Sequence, residues 1–451
     1  KRLLYYKIKS NTSEEYKMEQ KTVREKVAQI LTDIEKDDTY LQLALKKELD
    51  TLEAKDKGFA NELIYGTIKW RLRLDYVLDQ FSKTPVKKMK PFIRQLMRMS
   101  VYQILFLDKV PTSAAINEAV KIMHKRKMSN LSGFVNGVLR NIDRNKSEIT
   151  YPNLSVYYSI PEWIITRWMK YYGEMETKAI CESLSQRARV CIRINNLKTT
   201  KDKVKALLSE EGITVLEEGF LPESLYIHAP NGIHHSPSFK AGLWTVQDES
   251  AMLVGHVLGP EKGDEILDVC SAPGGKTVHL AELMQNEGHI IGADVHEHKI
   301  ELIEKNAKRL GASIVEGKLQ DGMLINEDWK EKFDKILLDA PCSGLGIIKP
   351  DIRYAKDETA IRDINNIQRK LLKNAINYLK KDGILVYSTC TLTQEENQNM
   401  VEYALSLGLQ LDAIPYDMPA CLKPYIKDNA YIEILPHVTD TDGFFMARFR
   451  K

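Results

Sequence analysis

No run in these 451 residues approaches the roughly 18 consecutive apolar residues that a membrane-crossing helix requires. Cysteine is scarce. The six present, Cys181, Cys191, Cys270, Cys342, Cys390 and Cys421, include no CxxC pair, so a zinc ribbon, a thioredoxin-type redox site and a disulfide framework are all disfavoured. No secretory leader is expected either, because Lys1-Arg2-Leu3-Leu4-Tyr5-Tyr6 runs directly into polar residues. A cytoplasmic location is therefore the expectation, and each cysteine is expected to be a thiol, by default a small buried hydrophobe. The chain does not begin with Met, so its first residues are expected to be a fragment or a processed end, with Met18 an alternative start. Internal repeats and low-complexity stretches are missing too.

What is present is an ordinary globular composition, 43% apolar and 28% charged, in a chain long enough for two to four domains. The net charge of +3 hides an asymmetry: residues 1–150 hold 30 Lys+Arg against 19 Asp+Glu, a surplus of +11, and the remainder carries −8. Basic residues that neutralise phosphates release condensed counterions, so this surplus is an expected footprint of polyanion binding. Lys83, Lys87, Lys88, Lys90, Arg94 and Arg98 form the densest basic run, with Lys125-Arg126-Lys127 a second. A plain solvated helix face is the competing reading.

Periodicity divides the chain into an N-terminal extension (1–21), an all-α domain (22–146), a linker with a small α+β module (147–238) and an α/β domain (239–451). Val23, Val27, Ile30 and Leu31 recur at helical spacing, as do Leu63, Ile64 and Ile68, and Leu96, Met97, Tyr102 and Leu105. Pro111-Thr112-Ser113 supplies a break and a cap before Ala114–Met123. Residues 147–159 read as a polar, aromatic connector, after which Ile160-Pro161-Glu162-Trp163 opens a helix. In the module, Val190–Ile194 and Leu225–His228 read as strands flanking a helix over Lys201–Glu211. Beyond residue 239 strands and helices alternate: Glu265–Val269, Thr277–Met284, His289–Asp294, Lys299–Leu310, Lys335–Asp339, Asn365–Tyr378 and Ile384–Ser388. That rhythm predicts a mostly parallel sheet with crossover helices.

The first strand of that series runs into Cys270-Ser271-Ala272-Pro273-Gly274-Gly275-Lys276-Thr277. In a doubly wound sheet this turn lies where a nucleotide-like ligand binds. It is not a phosphate-binding Walker loop, since Cys270 stands where GxxxxGK[ST] needs its first glycine. It is not a dinucleotide fingerprint either, since no GxGxxG is present. The second strand ends at Asp294, placed to hold ribose hydroxyls, and a later strand is followed by Asp321, placed for an adenine amino group. A helix-capping Asp would explain each singly. Together they favour an adenosyl cofactor.

The fourth strand delivers Asp339-Ala340-Pro341-Cys342-Ser343-Gly344 and the fifth Ser388-Thr389-Cys390-Thr391, so both cysteines are expected at one edge of the sheet. A thiolate that attacks C6 of cytosine turns C5 into an enamine-like carbon able to accept a methyl group. Asp339 beside it can hydrogen-bond N3 and the exocyclic amine, and Cys342 is placed to take the C5 proton afterwards. Either cysteine alone would read as core packing; the combination points to chemistry.

These segments, Asp268–Thr277, Asp339–Gly344 and Ser388–Thr391, resemble the bacterial RsmB/Sun-type RNA cytosine-5 methyltransferases, over nearly the whole chain. Gln247-Asp248-Glu249-Ser250 looks like the motif that precedes the family's cofactor loop. Phe59-Ala60-Asn61-Glu62-Leu63-Ile64-Tyr65-Gly66 and Val135-Asn136-Gly137-Val138-Leu139-Arg140 resemble a NusB-like RNA-binding domain. The resemblance implies a multidomain fold: all-α NusB-like helices, a small α+β RNA-binding module and a Rossmann-like class I methyltransferase domain. It implies S-adenosyl-L-methionine as cofactor without a metal, bound by Cys270, Ser271, Ala272, Pro273, Gly274, Gly275, Lys276, Asp294, Asp321 and Asp339. It makes Cys390 the nucleophile and Cys342 the group that assists product release. The implied substrate is 16S ribosomal RNA (by resemblance cytosine 967), as free rRNA or in a small-subunit assembly intermediate, acted on by a monomer without membrane partners. The segment from Gly346-Ile347-Ile348 to Lys349-Pro350-Asp351 is shorter than the family's pattern, which bears on any RNA contact near Arg353. The alternatives are a methyltransferase acting on tRNA or 23S rRNA, a non-catalytic NusB-like RNA-binding or antitermination module, and a DNA cytosine methyltransferase. Intact Asp339, Cys342 and Cys390 argue against the module. A second cysteine after the fifth strand favours RNA over DNA.

Overall fold

In a computed structural model of the chain, residues 21–37, 52–186, 189–230, 232–347 and 359–451 are described. They divide into two compact units, residues 1–150 and 151–451.

The first unit is helical: α1 (Val23–Asp37), α2 (Ala54–Lys69), α3 (Arg71–Phe81), α4 (Pro91–Phe106), α5 (Thr112–Lys125) and α6 (Ser132–Asn145). The positions at helical spacing are those that face inward, with Val27, Leu63, Ile64, Leu96 and Met97 all buried. Pro111, rather than Thr112 or Ser113, occupies the N-cap of α5, and the Thr112 hydroxyl instead donates to Asp143 of α6 at 3.1 Å. The basic runs split into two kinds. Arg98 is buried and donates to both carboxylate oxygens of Asp75, at 2.6 and 2.7 Å, and to Glu35 at 3.0 Å; Arg94 donates to Glu35 at 2.6 Å. Lys125 and Arg126 pair with the buried Glu25, and the Arg126 guanidinium lies 3.9 Å from the Phe92 ring centroid. These four hold helices together and are not a free phosphate-binding face. Lys83, Lys87, Lys88, Lys90 and Lys127 are the exposed members of the two runs.

The second unit opens on the stretch expected to be a connector, which forms a short helix, α7 (Leu154–Tyr158), capped by the Asn153 side chain accepting from the Val156 N–H at 2.9 Å. Next comes α8 (Glu162–Ser185), with Pro161 at its N-cap and a break at Gly173. A small antiparallel sheet of order β2-β3-β1-β4 joins β1 (Val190–Ile194), β2 (Thr214–Glu218), β3 (Ser224–His228) and β4 (Trp244–Val246), with α9 (Lys201–Glu210) following β1. Neither β2 nor β4 is legible as a strand in the sequence. Because β4 pairs with β1, this sheet takes a strand from beyond residue 239.

The main sheet has nine strands. β5 (Glu265–Asp268), β6 (His289–Asp294), β7 (Val315–Leu319), β8 (Phe333–Asp339) and β9 (Leu379–Thr389) are parallel in the order β7-β6-β5-β8-β9. Antiparallel strands extend it: β10 (Gln410–Leu411), β11 (Ile426–Lys427), β12 (Tyr431–Ile434) and β13 (Phe444–Arg450), the last pairing with β9. Four helices alternate with these strands or lead into them: α10 (Glu249–Leu258), α11 (Gly275–Leu283), α12 (Glu297–Leu310) and α13 (Thr359–Tyr378); α14 (Gln398–Ser406) follows β9. Consecutive strand residues face opposite sides, and both sides are covered. Ile266, Ile290, Leu337 and Val386 pack with α10, α11 and α12; Leu267, Ile291, Ile336 and Leu385 pack with α13 and α14. This double burial is why the strands read as continuous apolar runs rather than alternating ones.

Two contacts brace the parallel strands from the small module. Trp168 of α8 donates to the Leu392 carbonyl at 3.2 Å. Arg193 of β1, fully buried, donates to both oxygens of Glu282 on α11, at 3.0 and 2.8 Å, and to the Gly275 carbonyl at 3.0 Å. Removing one partner of a buried ion pair leaves an uncompensated charge, a loss of about 3–5 kcal/mol. Arg193→Met is therefore expected to lower the thermal unfolding midpoint clearly, and Arg193→Met with Glu282→Leu to recover part of the loss. Calorimetry of the three proteins checks this; a single variant that melts like the wild type would show that the pair does not brace the sheet.

Candidate active site at the carboxyl ends of the sheet

The strand order reverses between β5 and β8, which opens a crevice at their carboxyl ends. β5 ends on Asp268, and the chain turns through Cys270–Gly274 into α11. Gly274 makes that turn possible: its φ is +93°, and an added Cβ would lie 3.2 Å from the Ile303 Cα. The turn walls a cavity of about 140 Å³ lined by Gln247, Asp268, Cys270, Ser271, Ala272, Pro273, Gly275, Lys276 and Asp339. Asp268 is buried; the Thr277 hydroxyl donates to its Oδ2 at 2.7 Å, while Oδ1 has no hydrogen-bond partner among the described residues. Burial pushes this carboxyl up to about 7. Burial also pushes the Cys270 thiol up, with the charges of Asp268 and Asp339 adding to the effect.

The other wall comes from β8 and β9. Asp339 and Ser388 are register partners, and the Ser388 hydroxyl donates to Asp339 Oδ1 at 2.8 Å. Lys276 donates to Oδ2 at 2.7 Å. Burial works against the Lys276 charge, but Asp339 outweighs it and the ammonium is held above its ordinary value. Just past these strand ends the Cys342 and Cys390 sulfurs stand 3.3 Å apart, both half-buried. The hydrogen bond to Cys390 and burial push the Cys342 thiol well up. The strand-end segments run side by side: the Gly346 N–H donates to the Cys390 carbonyl at 3.0 Å, and the Gly443 N–H to the Gly346 carbonyl at 3.0 Å. A Cβ at Gly346 would lie 2.1 Å from the Gly443 carbonyl oxygen, so only glycine admits this approach.

The structure thus brings Asp339, Cys342, Cys390 and the Cys270–Lys276 turn to one place. Asp294 and Asp321 lie outside the lining of the cavity. Asp294 ends β6, buried, in contact with Lys299 at 3.3 Å; Asp321 follows β7 and accepts from the Met323 N–H at 2.9 Å. Asp248 caps α10, accepting from the Ser250 N–H at 2.9 Å. Ile348, Lys349, Pro350, Asp351 and Arg353 are outside the described residues. Sequence reasoning missed Ser388 as the orienter of Asp339, and it missed the fully buried Glu396 beside the Cys342 loop. Ser388 sits in the quoted Ser388–Thr391 segment and could have been found from strand register; Glu396 carries no local signal.

The donor set fits an adenosyl-amino acid cofactor: Asp268 Oδ1 is a buried acceptor in need of a cationic donor, and the turn exposes backbone where Gly275 leaves open space. A second group has metal-type donors. The Glu223 carboxylate accepts from His256 Nε2 at 2.7 Å and lies 3.2 Å from His279 Nε2. Burial holds His279 near 3, neutral, and its Nδ1 has no partner. A neutral His279 that ligated a metal through Nε2 would carry its proton on Nδ1, a buried N–H with no acceptor among the described residues, so the hydrogen-bonded carboxylate is the better account.

Three family descriptions match the chain: 16S rRNA methyltransferase RsmB/F over residues 255–450, the NusB family over 21–144, and the RsmF/B-like ferredoxin-like domain over 160–234. The "Probable ribosomal RNA small subunit methyltransferase B" of Bacillus subtilis is 36% identical over 448 residues, covering 96% of this chain and 100% of that protein. The crystal structure of PH0851 superposes with a TM-score of 0.77 at 29% identity, covering 96% of this chain and 99% of its own. That of NSun6 from Pyrococcus horikoshii with SFG superposes with a TM-score of 0.58 at 25% identity, covering 65% and 99%.

The raised Asp268 carboxyl makes stability depend on pH. Unfolded, it titrates near 4; folded, at about 7. Between these values the unfolded chain has lost a proton that the folded protein keeps, so stability falls as pH rises through that window and stays lower above it. Asp268→Asn is expected to melt above the wild type at pH 8 and to converge with it near pH 4. Parallel melting curves across this range would refute the account.

Proposed function

The chain belongs to the RsmB/F family of 16S rRNA methyltransferases, and from that membership we propose that it methylates C5 of a cytidine in 16S ribosomal RNA, cytidine 967 being the expected target, through a covalent bond between Cys390 and C6. The observation that carries this reading is the pair of thiols 3.3 Å apart at neighbouring strand ends, beside Asp339 and the cavity of the Cys270–Lys276 turn.

S-adenosyl-L-methionine supplies an electrophilic methyl group when bound. Asp268 would take its ammonium group through Oδ1 and the Cys270–Lys276 backbone would enclose it, while Asp294 and Asp321 would be the acids for its ribose and adenine, as the family resemblance implies. Cys390 attacks C6 as thiolate and the C5=C6 electron pair moves toward C5, which becomes the nucleophile for the methyl group. Asp339, oriented by Ser388, hydrogen-bonds N3 and the exocyclic amine, and Lys276 supplies positive charge beside it. Cys342 then takes the C5 proton, the C5=C6 bond re-forms and the Cys390–C6 bond breaks. The target base must leave its helix to reach these groups, and the exposed lysines of the first unit bind phosphates of the RNA.

With ribosomal RNA and labelled cofactor, Cys390→Ala is expected to give no product. Cys342→Ala is expected to form the covalent bond but fail to release it, leaving a protein–RNA adduct visible on a denaturing gel. An active Cys390→Ala enzyme would refute the assignment. For RNA binding, Lys87→Gln with Lys88→Gln is expected to weaken affinity at low salt and to flatten the slope of log affinity against log salt by about 1 per lysine. An unchanged slope would place the phosphate contacts elsewhere.

A further inference from the structure

Glu396, just before α14, has no exposed surface, and among the described residues no lysine or arginine pairs with it. A carboxylate taken out of water without a cation needs many donors, and this one has them. The Ser343 N–H donates to Oε2 at 2.9 Å and Gln368 Nε2 donates there at 2.9 Å, while the hydroxyls of Thr393, at 3.0 Å, and Ser343 donate to Oε1. Those donors bracket the two thiols. Gln368 Nε2 also donates to the Pro341 carbonyl at 2.9 Å, so both neighbours of Cys342 are tied to the same group. On the other side, the Ser343 and Thr391 hydroxyls are hydrogen-bonded at 2.7 Å. The next residue, Asn397, completes the frame by accepting from the Thr389 hydroxyl at 2.6 Å and donating to the Thr391 carbonyl at 2.9 Å. The short Sγ–Sγ distance is thus imposed by the frame around Glu396 and Asn397.

We propose that Glu396 is a positioning residue that clamps the Cys342 loop against the end of β9 and assigns the role of nucleophile to Cys390. For two sulfurs 3.3 Å apart, a negative charge on one disfavours a negative charge on the other. The titratable groups placed against them are Lys276 of α11, Asp339 of β8, Tyr387 of β9 and Glu396. Glu396 acts on the Cys342 side, where its charge disfavours a thiolate, and Lys276 lies within electrostatic reach of Cys390. Cys342 therefore stays a thiol while Cys390 is the thiolate; once Cys390 is bonded to C6, Cys342 loses its proton to solvent, and its high proton affinity then makes the resulting thiolate the stronger base for the C5 proton.

This rests on the reading of Cys390 as nucleophile, so the test is read first without RNA. Iodoacetamide labelling followed by peptide mass spectrometry is expected to modify Cys390 faster than Cys342 in the wild type. In Glu396→Gln the ratio is expected to narrow by about tenfold, one unit of relative acidity. Turnover should fall about tenfold or more, with cofactor affinity and KM for RNA retained. An unchanged labelling ratio, or a wild type in which Cys342 reacts first, overturns the proposal. If Glu396→Gln shows no cooperative melt, Ser343→Ala decides, since it loosens the clamp but keeps the carboxylate: slower turnover at unchanged KM supports the proposal, and unchanged turnover overturns it. A narrowed ratio in a protein whose wild type methylates no RNA would refute the reading of function while leaving the clamp standing.

Discussion

The candidate active site of this chain hangs from the reversal of strand order between β5 and β8. Parallel strands point their carboxyl ends the same way, and where the order reverses the crossover helices diverge and leave a crevice. Asp268, Asp339, Ser388 and the two cysteines lie at or just beyond those ends, drawn from segments up to 122 residues apart in the chain. The apolar layers on both faces make the crevice walls rigid, which holds sulfurs and carboxylates at hydrogen-bond distances.

That rigidity has an electrostatic consequence. Beside a core this apolar, charge must be paired or hydrogen-bonded. Lys276 is paired with Asp339, Arg193 with Glu282, and Glu396 is surrounded by donors. Asp268 has only one oxygen hydrogen-bonded among the described residues and its carboxyl is held high, the condition expected of a group whose partner arrives with a ligand. The small module takes part through Arg193 and Trp168, which reach the cofactor turn and the segment after Cys390. It is a brace for the site as well as a separate sheet.

The α/β rhythm was legible because parallel strands buried on both faces leave long apolar runs separated by amphipathic helices. β10 and β11 were not, because two-residue strands carry no periodicity and exist only through partners elsewhere in the chain. β4 escaped for the same reason, its three residues being a strand only against β1. The basic runs show a different limit. Lys83 and Arg98 look alike in sequence, yet Arg98 is buried against Glu35, 63 residues away, and Lys83 is exposed. Composition counts charges; it does not say which are spent on the fold.

By itself the sequence determined the fold class, the Cys270–Lys276 turn after the first parallel strand, the acids at strand ends and the two cysteines beyond them, since each is written in local spacing and in strand-then-loop order. Only the tertiary structure decided that the sulfurs stand 3.3 Å apart, that Asp339 is aimed by Ser388 and Lys276, and that Glu396 ties the two cysteine loops together. The physical reason is range. Periodicity and turn chemistry act over a few residues, whereas a hydrogen bond between groups 48 or 53 positions apart exists only after the sheet has set its register.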